Sequence, residues 1–236
     1  MDAGTLFLIP TTLGESALTA VIPQEVQERV RRLDYFVAEN PKSARAYLKQ
    51  IGMMKPLQDL HIATLNVHTP EAAIAGLAAP LLAGLSLGVM SEAGCPGVAD
   101  PGAKLVLYAQ QHAIRVVPLV GPSSILLALM ASGLNGQSFV FHGYLPVAAG
   151  EREKALRELE KQSRRLQQTQ IFIETPYRNQ KLLQSILDAC ANATLLCVAA
   201  EITLSGEDIR TMTVADWKKK PPQLERRPAL FLLLAV

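Results

Sequence analysis

Short apolar runs alternate with helix-length segments along the chain, and this alternation most restricts the fold. Thr5–Ile9 is a compact apolar run that ends at Pro10, which reads as a buried strand leading into the loop Pro10–Glu15. Pro23–Leu33 carries Val26, Val30 and Leu33 at helical spacing. Tyr35–Ala38 is a second strand, ending at Glu39-Asn40-Pro41. A helix is expected over Ser43–Ile51, with Ala44, Tyr47, Leu48 and Ile51 on one face and Gly52 as its stop. His61–Leu65 reads as strand, Glu71–Ala83 as helix, Leu87–Ser91 as strand, Ala103–His112 as helix and Arg115–Leu119 as strand. Strands joined through helices imply a parallel sheet with right-handed crossovers.

Composition agrees with that architecture. Apolar residues make up 49% of the 236 residues but aromatics only 5%, so the core must be built from Ala, Leu, Val and Ile. Such side chains suit helices packed on a buried sheet. They do not suit an aromatic platform for single-stranded nucleic acid. A net charge of +2 means that any RNA contact would come from a local patch. Cys95, Cys190 and Cys197 match no zinc spacing, and His61, His68, His112 and His142 are scattered, so no metal site is expected. The stretch Ala72–Ser91 is uncharged, but Gly76, Pro80, Gly84 and Gly88 interrupt it. It reads as helix, turn and strand rather than a membrane span, and the start Met1-Asp2-Ala3-Gly4 does not read as a signal peptide.

The second half begins with the apolar helix Ile125–Ser132 and continues with a strand at Phe139–Gly143. The long charged helix Ala149–Gln168 has a thin apolar stripe of Ala155, Leu156, Leu159 and Leu166. Its Lys161, Arg164 and Arg165 read as a solvated face. A strand at Thr169–Glu174, a helix at Asn179–Ala191 and strands at Thr194–Ala200, Thr211–Val214 and Ala229–Val236 follow. Lys218–Arg227 is expected to be a charged linker. The expected organisation is two α/β domains, 1–118 with a mostly parallel sheet and 119–236 with a mixed one.

Ligands in open α/β sheets bind at the carboxyl ends of strands. The loop Ser91–Gly102 stands there, with Gly94, Gly97, Gly102, Pro96, Pro101, Glu92 and Asp100 in one stretch. Glycines let backbone approach a ligand and prolines stiffen it. No GxxxxGK[ST], no GxGxxG after the first strand and no Gly-x-Ser-x-Gly is present, which disfavours nucleotide triphosphates, dinucleotides and serine hydrolysis.

At these loops the chain resembles the tetrapyrrole methylase superfamily, and within it the small-subunit ribosomal RNA 2′-O-methyltransferase I group. The matching segments are Gly4–Thr11, Ala38-Glu39, Ser91–Pro96 with Asp100-Pro101-Gly102, Val117–Ser124, Gly143–Pro146, Phe172–Arg178 and, more loosely, Glu201-Ile202-Thr203. The resemblance implies a cytoplasmic homodimer that uses S-adenosylmethionine (SAM), held in a cleft between the two domains. It places Pro10, Leu13, Glu92, Ala93, Gly94, Cys95, Ser123, Ser124 and Ile125 at the cofactor, and Thr175, Tyr177, Ala200 and Ala229 around its adenine. The chain departs from the group's usual pattern in two places. Asn40-Pro41-Lys42-Ser43-Ala44 replaces an Asp-Thr-Arg-His-like run, and Glu92 stands where an aspartate is usual.

Methyl transfer from a sulfonium depends mainly on placing the nucleophile in line with the methyl carbon. Loss of a proton from a ribose 2′-hydroxyl would be helped by a carboxylate. Glu39, Asp100 and Glu201 are the candidates, each with capping, bracing or arginine pairing as its alternative role. The leading expectation is 2′-O-methylation of ribosomal RNA, with the RNA or the small ribosomal subunit as partner. The alternatives are methylation of a tetrapyrrole or other small molecule, and a SAM- or RNA-binding assembly factor without turnover.

Overall fold

The structure, a computed structural model, describes residues 3–235. The chain forms two compact units, one ending at Ser123 and one starting at Ser124.

The first unit contains β1 (Thr5–Ile9), α1 (Leu18–Val21), α2 (Gln24–Val30), β2 (Tyr35–Ala38), α3 (Pro41–Ile51), β3 (His61–Thr64), α4 (Ile74–Leu77), α5 (Ala79–Leu82), β4 (Leu87–Met90), α6 (Gly102–Gln111) and β5 (Arg115–Pro118). Its strands lie in the order β3-β2-β4-β1-β5, and every pairing is parallel. A strand's period of two divides each apolar run between two cores. Phe7, Ile9, Phe36 and Met90 face α2 and α3, while Leu6, Val37, Leu87 and Val89 face α4, α5 and α6. Gly88 is paired with Phe7 on one side and Phe36 on the other. A Cβ there would lie 2.3 Å from Ile9 Cδ1 and 3.1 Å from Phe36 Cδ1, so two large neighbours already fill the space.

Three local expectations change in this unit. The expected helix over Glu71–Ala83 is a 3-10 turn, Glu71–Ala73, followed by the separate α4 and α5. Pro80 in the first turn of α5 cannot continue a preceding helix. The helix expected from Ser43 starts at Pro41, because the Asn40 side chain accepts from Lys42 N at 2.9 Å and Pro41 suits the first helical turn. Ser43 therefore lies in the first turn of α3. The short helix α1, between Pro10–Glu15 and Pro23, was not expected.

The second unit contains α7 (Ser124–Ser132), β6 (Phe139–Tyr144), α8 (Ala149–Leu166), β7 (Thr169–Ile173), α9 (Asn179–Ala189), β8 (Leu195–Ala200), β9 (Asp208–Thr213), α10 (Val214–Lys219) and β10 (Ala229–Leu234). Its sheet runs β6-β7-β10-β8-β9. Only β6 and β7 are parallel; the other pairings are antiparallel, so this sheet is mixed. Phe172, Val198 and Phe231 face α8, α9 and α10, where Trp217 is fully buried and donates through Nε1 to Leu196 O at 2.8 Å. α7 packs against β8, β9 and β10, and Thr211 Oγ1 donates to Ser132 O at 2.6 Å.

On α8 the buried stripe is Leu156, Leu159 and Ser163, not Leu166, which is half exposed. Ser163 holds a core position because its hydroxyl donates to Gln168 O and accepts from Ala235 N. The expected linker Lys218–Arg227 begins inside α10, which Thr213 caps by accepting from Asp216 N. The last strand ends at Leu234, and Val236 lies outside the described residues. Among the described residues no helix is long and apolar enough to cross a membrane.

Filling the Gly88 site should overpack the first unit. Gly88→Val should lower unfolding free energy by about 1–3 kcal/mol, read from the denaturant midpoint.

Candidate functional site

Because all five strands of the first unit run the same way, the loops after β1, β2, β4 and β5 share one edge of the sheet. Short contacts join them. Thr11 N donates to Gly94 O at 2.9 Å, linking the β1 and β4 loops. Buried Tyr47 on α3 donates its hydroxyl to Pro10 O at 2.7 Å, and burial pushes that phenol well above its ordinary value. Gly94 has φ +73°, and a Cβ on it would lie 3.2 Å from Leu13 Cδ2 and 3.4 Å from Pro122 O. Three loops thus close around this glycine. Cys95 Sγ lies 3.4 Å from Pro122 O, and burial raises its thiol pKa.

The Ser91–Gly102 loop is held from inside. Asp100 Oδ1 accepts from Gly97 N at 2.7 Å and Gly102 N at 2.8 Å. Burial nonetheless raises its pKa, with the two amide bonds opposing the shift. Burial also raises the Glu39 carboxyl above its ordinary 4.5, and the negative charges of Glu92 and Asp100 add to the effect. The three carboxylates therefore share one acidic neighbourhood. Glu92 crosses to α3, where Ser43 Oγ lies 2.6 Å from Glu92 Oε1 and 2.9 Å from Asn40 O. A pocket of about 280 Å³ lies between the Thr11–Glu15 loop, α3 and Ser91–Ala93.

The structure brings Pro10, Leu13, Glu39, Glu92, Ala93, Gly94, Cys95, Asp100 and Ser123 to the first unit. The other candidates belong to the second. Ser124 and Ile125 open α7, and Thr175 and Tyr177 precede α9, with Tyr177 80% exposed. Ala200 and Ala229 are buried neighbours on β8 and β10. Glu201 belongs to the second unit. Its Oε2 lies 2.9 Å from Arg227 Nε and 2.7 Å from Nη2, it has φ +52°, and Arg227 also donates to Gly206 O. This pairing braces the turn after β8. Among the described residues no group of three or more His, Cys, Asp or Glu could hold a metal ion.

The family model for Tetrapyrrole (Corrin/Porphyrin) Methylases matches residues 17–218. The chain belongs to the tetrapyrrole methylase family. It is 33% identical over 214 residues to the ribosomal RNA small subunit methyltransferase I of Vibrio cholerae, covering 91% of this chain and 70% of the relative. The protein of that name from Mesorhizobium japonicum is 35% identical, covering 89% and 67%. Among solved structures, the methyltransferase CobJ matches with a TM-score of 0.63 at 17% identity, over 100% of this chain and 95% of that one. The cobalt precorrin-4 methyltransferase CbiF matches at 0.61 and 15%, over 98% and 94%. These two likenesses concern the fold. This tetrapyrrole methylase is a methyltransferase, and its chemistry requires a methyl donor.

The pocket is also lined by Ser43, Tyr47 and Gln50, which the sequence does not single out as site residues, whereas Thr11 and Thr12 belong to the Pro10–Gly14 loop that the family resemblance places at the cofactor. The sequence marks Tyr47 only as a core position of α3. The Asn40-Pro41 pair was the available signal for Ser43, since it starts the helix early.

Glu39 supplies a pH test. Its raised pKa means that the folded chain binds this proton more tightly than the unfolded chain. Stability from this site is present at low pH and is lost as pH rises from the ordinary 4.5 through the raised folded value. Glu39→Gln should therefore gain denaturant resistance relative to the parent as pH rises above the ordinary 4.5. A parallel pair of curves would contradict the assigned cause.

Proposed function

We propose that this tetrapyrrole methylase transfers a methyl group from SAM to a ribose 2′-hydroxyl of small-subunit ribosomal RNA. The convergence of the β1, β4 and β5 loops around Gly94 carries the cofactor part of this reading. A sulfonium cation is favoured by the neighbouring carboxylates Glu39, Glu92 and Asp100. The crowding around the positive-φ Gly94 keeps side-chain atoms out of a narrow cradle, and Asp100 stiffens the loop beforehand. These features fit SAM, which when bound supplies a methyl carbon on a good leaving group.

Pro10, Leu13, Ala93, Gly94, Cys95 and Ser123 would hold the cofactor in the first unit, and the family resemblance adds Ser124, Ile125, Thr175, Tyr177, Ala200 and Ala229 as further candidates. Glu39 is the carboxylate assigned to receive the hydroxyl proton, because Asp100 is occupied by the Gly97 and Gly102 amides and Glu201 by Arg227. Asp100 orders the loop, and Glu201 braces its turn through Arg227. The RNA part of the reading rests on the relatives named ribosomal RNA small subunit methyltransferase I. A ribosomal substrate would set the enzyme to work in the cytoplasm. We also read it as a homodimer, supported by Met130, which is 79% exposed on α7; sedimentation would measure this state.

The deciding experiment is transfer of tritiated methyl from SAM to small ribosomal subunits from cells lacking the gene. Label in RNA is the expected result. Label only in a porphyrinoid, or SAM binding without transfer, would replace the reading. In calorimetry, Gly94→Trp should weaken SAM binding by about a hundredfold, since its side chain enters the cradle. Unchanged affinity would move the cofactor site elsewhere.

A further inference from the structure

The contact between Thr11 N and Gly94 O ties the β1 and β4 loops together beside α3. Gly94, Cys95 and the turn at 121–123 do not line the pocket of about 280 Å³, whereas Leu13, Glu92 and Ala93 form the wall it shares with the cofactor loops. Its other wall is α3. Methyl transfer needs donor and acceptor side by side. A compartment next to the cofactor loops, but not built from Gly94 or Cys95, is placed for the acceptor.

We propose that this pocket receives the acceptor nucleoside of an RNA strand, and that α3 holds the strand's flanking phosphates. The inference rests on the RNA reading above.

The pocket's chemistry fits a neutral, hydroxylated body. Thr12, Ser43, Gln50 and the carboxylates Glu15 and Glu92 offer hydrogen-bonding groups, while Ala46 leaves an apolar wall for a base. No lysine or arginine lines it, so a phosphate is not drawn inside. Its volume lies just below the usual range for ligand sites, about 300–1,000 Å³. That space is compatible with a body the size of one nucleoside. The 2.6 Å contact between Ser43 and Glu92 ties α3 to the β4 loop along one wall.

α3 supplies the second half of the argument. At helical spacing, Ser43, Ala46 and Gln50 form one stripe, and Lys42, Arg45 and Lys49 form the stripe beside it. The basic side chains are exposed, while the opposite face of α3, Ala44, Tyr47, Leu48 and Ile51, is buried. A row of cations beside a pocket lined by no lysine or arginine matches a nucleoside whose flanking phosphates continue along the protein surface. The chain's weak net charge hides this local patch.

Ala46→Trp tests the pocket, because Ala46 is exposed and a large side chain there fills the cavity without entering the core. The readouts are SAM affinity by calorimetry and methyl transfer to small ribosomal subunits from cells lacking the gene. The expected result is SAM binding within about twofold of the parent and kcat/KM for subunits down by about a hundredfold. Weakened SAM binding would give the pocket to the cofactor, and unchanged transfer would empty it of either role; both overturn the proposal. Gln50→Trp, from the same stripe, repeats the test if the first variant unfolds. Replacing Lys42, Arg45 and Lys49 together with glutamine should raise KM and flatten the salt dependence of KM by about two to three in log–log slope, with SAM binding retained. An unchanged slope would remove the phosphate half. If the unmodified protein labels no RNA, the RNA reading itself fails, an outcome separate from failure in the variants alone.

Discussion

The hydrogen bond from Thr11 N to Gly94 O is the constraint on which the first unit's site depends. Parallel pairing of β1 with β4 ends at Ile9 and Met90, where the two chains leave the sheet. Without a further link, each loop would be free to move. The bond joins them beyond the sheet, and Leu13 and Pro122 then close around Gly94. Tyr47 adds a third fixed point by reaching Pro10 O from α3. Asp100 does the same within its own loop. The loop's glycines supply the bends, and these bonds choose among them.

Much of the fold was legible because buried parallel strands leave plain marks. Thr5–Ile9, Tyr35–Ala38 and Leu87–Met90 are apolar runs bounded by turn residues, and each became a strand. Misreadings occurred where a single residue outweighed the pattern. Pro80 broke a helix that the apolar spacing favoured. Ser163 took a core position that hydrophobicity assigned to Leu166, because two backbone groups needed its hydroxyl. The helix α10 lay across the start of a charged segment, with its buried Trp217 preceding the lysines that drew attention.

The site was legible in parts. Glycine and carboxylate content marked the Ser91–Gly102 loop, but only folding revealed that Glu92 reaches Ser43. Both residues lie in the two stretches where this chain departs from the usual pattern of its resembled group. Their contact joins the two stretches in space. Sequence alone could not show this, because it depends on α3 beginning at Pro41 and presenting Ser43 to the β4 loop. Glu201 was the reverse case. Arginine pairing was its alternative role in the sequence, and the partner is Arg227, distant in sequence and adjacent in space, rather than Arg45 or Arg178.

The strand order of the second unit also bears on how the protein is made. β10 follows every other strand of its sheet in sequence, yet it lies at the centre, between β7 and β8. As the polypeptide leaves the ribosome, β6–β7 and β8–β9 can each pair early, but both present open inner edges until β10 arrives. The first unit is complete by then, since all its strands precede Ser123. Synthesis therefore passes through a stage in which a finished unit carries two unjoined half-sheets. In that interval, edge-to-edge association with another nascent chain competes with insertion of the last strand.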